Sequence, residues 1–87
     1  MHMSTNLAIT AKLMGDPGRA AILVSLMGGT ARPAGELAAI GNVAPQTASG
    51  HLSRLLESGL LTVERQGRHR HYRLASAQVG EAIDMLF

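Results

Sequence analysis

Between Arg65 and Arg73 the chain places Arg65, Arg68, Arg70 and Arg73 without an intervening acid, and sets His69 and His71 among them. Guanidinium groups at this density suit phosphates: they release condensed counterions, or they reach into the negative minor groove of a duplex. The alternative is a solvated edge hairpin whose charge only discourages further strand pairing. His69 and His71 fall on one face of a strand, which raises metal ligation. Two imidazoles are an incomplete ligand set and the neighbouring arginines repel cations, so no metal is expected. A second set of candidates lies earlier. Gln46, Thr47, Ser49, Gly50 and Ser53 are small, amide-bearing or hydroxyl-bearing, and Arg54 stands beside them. Such residues on one helix face can read bases: Gln bonds adenine bidentately, Thr offers a methyl to thymine, and Gly50 lets the backbone approach.

These residues need a scaffold, and Gly and Pro punctuate the chain into short helices. A first helix is expected over Ser4–Met14, capped by Ser4 or Thr5, with Leu7, Ala8, Ala11 and Met14 as its stripe and Gly15 as its stop. In "GDPGRAAILVSLMGG" Asp16 is a good N-cap and Pro17 fits the first helical position. Ile22, Leu23, Leu26 and Met27 form the apolar stripe, and Gly28–Gly29 stop the helix. A third, short helix runs from Pro33 to about Gly41. Asn42 tolerates the left-handed turn conformation, and Pro45 starts a fourth helix that runs to Ser58 and is closed by Gly59. With Ala48 at the centre of its buried face, Leu52, Leu55 and Leu56 fall on the core side. Gln46, Gly50, Ser53 and Glu57 then point outward, Thr47 and Arg54 occupy one shoulder and Ser49 the other. His51 lies on the flank, as a packing or a phosphate-contacting residue, and Glu57 is a solvated charge.

"LLTVE" alternates as a strand, "RQGR" is a turn and "HRHYRL" a returning strand, so residues 60–74 make a hairpin. Tyr72 and Leu74 turn inward and anchor it, and Arg73 lies near its core end. Ser76 caps a last helix that presents Val79, Ala82, Ile83 and Leu86. The order of elements defines the fold class: mainly α with a β-hairpin wing, the winged helix-turn-helix.

Composition limits the function classes. At 87 residues the chain is one small domain, of a size that buries only about 60% of its unfolded surface, so a partner subunit would add stability. Apolar residues make up 46% and mean hydropathy is +0.13, yet no apolar run approaches the roughly 20 residues of a membrane span. There is no cysteine, hence no disulfide framework or thiolate metal site. "MHMSTN" carries no secretory pattern, so a cytoplasmic location is expected. Net charge is only +2 although the calculated pI is 9.9, because the arginines are concentrated locally.

The segments "GDPGRAAIL" and "ELAAIGNVAPQTASGHLSRLLESGLLTVERQGRHRHYRL" resemble the ArsR family of bacterial transcriptional repressors. They match its D-P-x-R opening, its S-x-H-L recognition helix, its L-x-x-x-G-L exit and its R-x-G-R-x-x-x-Y-x-L wing, over Gly15 to Leu74. Two positions depart from the pattern. Gly41–Asn42 stands where the family usually has an apolar residue then Gly, and Gly50 where it often has Arg. Metal-sensing members carry cysteines where this chain has Pro33, Ala34 and Gly35. Others ligate through Asp, His and Glu on the final helix, where Glu81 and Asp84 occur here without His.

The resemblance implies a sequence-specific DNA-binding regulator, a repressor that reads an inverted repeat as a homodimer. On that reading residues 1–87 are one domain whose terminal helices, 4–14 and 76–87, form the dimer interface. Gln46, Thr47, Ser49, Gly50 and Ser53 read bases, while His51, Arg54, Arg65, Arg68 and Arg70 hold the DNA backbone. Double-stranded DNA and a second copy are the expected partners, with no membrane, no cofactor, no metal and no identifiable effector. "EAIDMLF" ends in a helix without Gly, Pro or a basic stop, so the natural chain is expected to continue, as in longer members with a sensor region. A winged helix used for protein–protein assembly is the competing reading. Enzymatic activity is not expected, because no motif sets a nucleophile beside a base.

Overall fold

The computed structural model describes residues 2–87, with side chains from Leu7 onward. Five helices and three strands follow in the order α1 (His2–Leu13), α2 (Pro17–Ser25), β1 (Arg32–Pro33), α3 (Ala34–Gly41), α4 (Pro45–Glu57), β2 (Leu61–Gln66), β3 (His69–Leu74) and α5 (Ala77–Met85). This is a winged helix-turn-helix: α2, α3 and α4 pack in sequence, and β2 and β3 form the wing. Among the described residues no helix is long and apolar enough to cross a membrane.

Local signals set most boundaries. Asp16 caps α2 by accepting the Arg19 backbone N–H at 3.0 Å, and Pro17 occupies the first turn. The helix stops at Ser25, and a single 3₁₀ turn over Met27–Gly29 follows, in which Gly28 and Gly29 adopt φ of 83° and 86°. Asn42 ends α3 in the left-handed conformation (φ 54°, ψ 47°), the only non-glycine residue with positive φ among those described. That geometry turns the chain sharply into α4, which begins at Pro45.

The core joins all layers. Ile22 and Leu23 from α2, Leu26 just past its end, Leu37 from α3, and Leu55 from α4 are fully buried, with Ile83 from α5 closing one side. Each such side chain contributes roughly 1.5–3 kcal/mol by leaving water. α1 packs against α5, which brings the two ends of the chain together.

Four expectations need correction. The first helix begins at His2, ahead of the expected caps at Ser4 and Thr5, whose side chains lie outside the described ones. Its inward face is Thr10 and Leu13, supported by Ile9, while Ala8 and Ala11 are exposed. The apolar residues of α1 are spread around the helix among polar ones, so periodicity gives no unique face, and packing against α5 selects the buried side. Pro33 precedes α3 instead of starting it and sits in β1, where Arg32 pairs with Tyr72 and Pro33 with His71. The sheet order is β1-β3-β2, so this proline lies on an edge, where its missing N–H is tolerated. Leu86, expected within the last helix, falls just past its end at Met85 and is 39% exposed.

Candidate nucleic-acid interface

α4 is divided cleanly between core and solvent. Ala48, Leu52 and Leu55 are at most 2% exposed, whereas Gln46, Thr47, Ser49, Gly50, Ser53 and Arg54 are all exposed. The structure thus brings all five expected base-reading residues onto the outward side of one helix. Leu56 is half-buried against the core. Arg54 borders a shallow depression with Glu57 and, from α1, Ile9, Lys12 and Leu13. Ala44 at the N-cap gives the first turn of α4 no side-chain cap, which leaves its first N–H groups without that partner.

Gly50 sits well inside α4, and a Cβ placed there meets nothing within 4 Å. Neither packing nor backbone conformation therefore requires glycine. In a helix interior it costs about 0.5–1 kcal/mol relative to alanine.

His51 occupies the packing position of its two alternatives. It is 9% exposed, and its Nε2 lies 3.4 Å from Asp16 Oδ1. The Arg19 backbone N–H is the main cause holding the Asp16 carboxyl below its ordinary value; burial opposes this, and the charges of His51 and Arg19 add to it. The sequence marked Asp16 as a cap but not as a partner of the recognition helix. No local spacing connects residues so far apart in the chain.

In the wing, Gln66 pairs with His69, leaving Gly67 and Arg68 as a two-residue connection. Gly67 has φ of 64°, the positive value that a primed hairpin turn needs at its first central position. The register sets Arg65 directly opposite Arg70, a like-charge pair that works against strand association. Both share the face of Val63 and Tyr72, and the Arg70 guanidinium lies 5.8 Å from the Tyr72 ring centroid. Tyr72 is buried and anchors the wing as expected, while Leu74 is half-buried. Arg65, Arg68 and Arg70 are exposed, and among the described residues none of them forms a salt bridge.

Arg73 behaves differently. It donates to Glu64 Oε2 at 3.1 Å and reaches the Gly29 carbonyl at 3.4 Å, so its charge is tied to the body of the domain. The Gln66 amide and then Arg73 hold the Glu64 carboxyl below its ordinary range, against burial. Glu64 and Arg73 line a groove together with Glu81 and Asp84 of α5. His69 and His71 lie on the sheet face opposite Arg65 and Arg70. Among the described residues no three His, Cys, Asp or Glu side chains gather as metal ligands do.

Residues 14–64 match the family described as "Helix-turn-helix domain". The chain is 51% identical over 84 residues to the "Uncharacterized HTH-type transcriptional regulator YdfF" of Bacillus subtilis, covering 97% of this chain and 37% of that protein. It therefore spans little more than a third of the length of that relative. Among solved structures, the homodimeric winged helix-turn-helix DNA-binding domain of Mb0332 from Mycobacterium bovis, a possible ArsR-family transcriptional regulator, superposes with a TM-score of 0.79. That match has 27% identity and covers 93% of this chain and 74% of the other. The transcriptional repressor BigR from Xylella fastidiosa superposes with a TM-score of 0.78 at 25% identity, over 95% of this chain and 84% of its own.

Proposed function

Because the chain belongs to the ArsR family of winged helix-turn-helix transcriptional regulators, we propose that it represses transcription by binding an inverted-repeat operator as a homodimer. The family consists of DNA-binding regulators and not enzymes. The observation that carries the finer reading is the division among the wing arginines. Arg73 is neutralised by Glu64, while Arg65, Arg68 and Arg70 stand exposed without an acidic partner among the described residues. A fold that needed this charge for its own stability would pair it. Leaving two arginines directly opposite one another favours an anion from outside.

On this proposal Gln46, Thr47, Ser49, Gly50 and Ser53 face base edges in a major groove, and the exposed Arg54 meets the flanking backbone. The wing then lies against adjacent phosphates through Arg65, Arg68 and Arg70. Residues 1–87 act as one DNA-binding domain whose terminal helices form the dimer interface. The exposed Ala8 and Ala11 of α1, with Met85 at 61% and Phe87 at 84% exposure beyond the buried face of α5, support that interface. Two-fold symmetry of such a dimer matches an inverted repeat.

The test is fluorescence anisotropy of wild type and Arg68→Ala on a duplex selected in vitro and on a scrambled duplex, across a range of salt. Each phosphate contact contributes about one unit to the slope of log affinity against log salt. With two wings per dimer, Arg68→Ala should lower the slope by about two and weaken both duplexes alike. An unchanged slope would turn the wing's charge toward solvent or a protein partner, and the assembly reading would replace this one.

A further inference from the structure

His51 is the polar member of the buried face of α4, among Ala48, Leu52 and Leu55. Its Nε2 lies 3.4 Å from Asp16 Oδ1, and that same oxygen accepts the Arg19 backbone N–H at 3.0 Å. The Arg19 guanidinium donates in turn through Nε to the Leu13 carbonyl at the end of α1, at 2.8 Å. A polar chain thus runs from α1 through the start of α2 into α4, by way of Leu13, Arg19, Asp16 and His51. The backbones around it are closely packed. A Cβ at Gly18 would come within 3.2 Å of Asp16 Oδ1 and 3.3 Å of Val43 Cγ1, and one at Gly41 within 3.2 Å of the Gly18 carbonyl. The start of α2 is therefore seated against the turn that launches α4.

Apolar packing is non-directional and lets a helix pivot at small cost, whereas a half-buried polar pair bridging two helices loses its partner when they move apart. α4 has 13 residues, hence a length of about 20 Å, so a tilt of about 10° around its centre moves either end by about 2 Å. Base reading depends on placement within about 0.5 Å, while flexible arginines on phosphates tolerate such a shift.

We infer that Asp16 and His51 are positioning residues that fix the angle of the recognition helix on the α1–α2 scaffold, and so set sequence discrimination and not overall DNA affinity. This assignment rests on the DNA-binding reading above. Three variants separate positioning from folding. Asp16→Ser keeps a good N-cap oxygen for Arg19 but is too short to reach His51. His51→Leu fills the space without a polar partner, and His51→Gln returns an amide nitrogen near the place of Nε2.

Affinities for the duplex selected by wild type and for a scrambled duplex are measured by anisotropy at one salt concentration, with thermal melting alongside. Asp16→Ser and His51→Leu should each lose about tenfold in the selected-to-scrambled ratio, and their combination should lose no more than either alone. Scrambled-duplex affinity should stay within about twofold, and His51→Gln should recover the ratio to within about threefold of wild type. If Asp16→Ser does not fold, the contrast between His51→Leu and His51→Gln decides. Equal losses on both duplexes, or additive losses in the double variant, overturn the assignment, because the pair then serves stability alone. A wild-type protein that selects no duplex at all overturns the DNA reading itself, which is a distinct outcome.

Discussion

Gly50→Ala should make the protein more stable and a poorer DNA binder at once. Gly50 lies inside a 13-residue helix with ordinary helical backbone, and an added Cβ meets nothing within 4 Å. The methyl group therefore brings no steric penalty, and the gain is the helix-propensity difference of about 0.8–1 kcal/mol per protomer. For a domain of this size that corresponds to a rise in Tm of about 4–8 °C at fixed protein concentration, the latter because the proposed dimer would make Tm concentration-dependent. Were the glycine kept for the fold, the same change would destabilise.

The open space over Gly50 is where the proposed interface brings DNA. A Cβ there should hold the helix off the groove and weaken the selected duplex by about tenfold, or about 1.4 kcal/mol, with a smaller effect on a scrambled duplex bound mainly through phosphates. Differential scanning calorimetry and anisotropy on the same preparations read both quantities. A variant that melts no higher than wild type refutes the propensity argument. One that is more stable and binds the selected duplex equally well refutes the close approach of α4 to DNA.

Thr47→Ala and Gln46→Ala should each cost about 1–3 kcal/mol on the selected duplex and relax base preference; equal losses on selected and scrambled duplexes, read by competition binding, would remove these residues from base reading. Glu64 has a depressed carboxyl pKa, so its contribution to stability is complete above its ordinary value of 4.5 and disappears as pH falls through the lower folded value. The Tm advantage of wild type over Glu64→Gln should accordingly shrink between about pH 6 and about pH 3, and a constant difference would mean that the Glu64–Arg73 pair adds nothing specific. Light scattering should give a dimer at micromolar concentration, and Ala11→Glu on the exposed flank of α1 should give a folded monomer; a dimer that survives this change lies on another surface.

Much of the framework was legible because local chemistry dictates it. Asp16 with Pro17 marks the start of α2, Pro45 and Gly59 mark the two ends of α4, and Gly67 between alternating runs marks the wing turn, each through its immediate neighbours. The outward face of α4 followed from its buried one, since Ala48, Leu52 and Leu55 leave only one orientation. α1 was misread because its apolar residues surround the helix, so that only packing against α5 selects Thr10 and Leu13. β1 gave no signal, because a two-residue strand is defined by its partner at His71–Tyr72 and not by alternation of its own. The pairing of Arg73 with Glu64 needs the exact cross-strand register, and that of His51 with Asp16 needs the docked helices. Of the candidate site, residue identity and face were readable, while the separation of tied from free charges was not.

Three positions on the proposed DNA-facing surface work against local stability. Gly50 weakens a helix without a packing reason, Ala44 leaves the start of the same helix uncapped, and Arg65 faces Arg70 across a two-stranded ribbon. Some positions elsewhere are compensated, as where Asp16 caps α2 and Glu64 neutralises Arg73, although Pro33 and Ser76 also leave the starts of α3 and α5 without a side-chain cap. The three positions on this surface have a physical explanation if their partners arrive from outside. Phosphate oxygens accept from free N–H groups at a helix start and separate two opposed guanidiniums electrostatically, while Gly50 leaves bare backbone toward the base edges. On the proposed function, one duplex lying across α4 and the wing would meet all three.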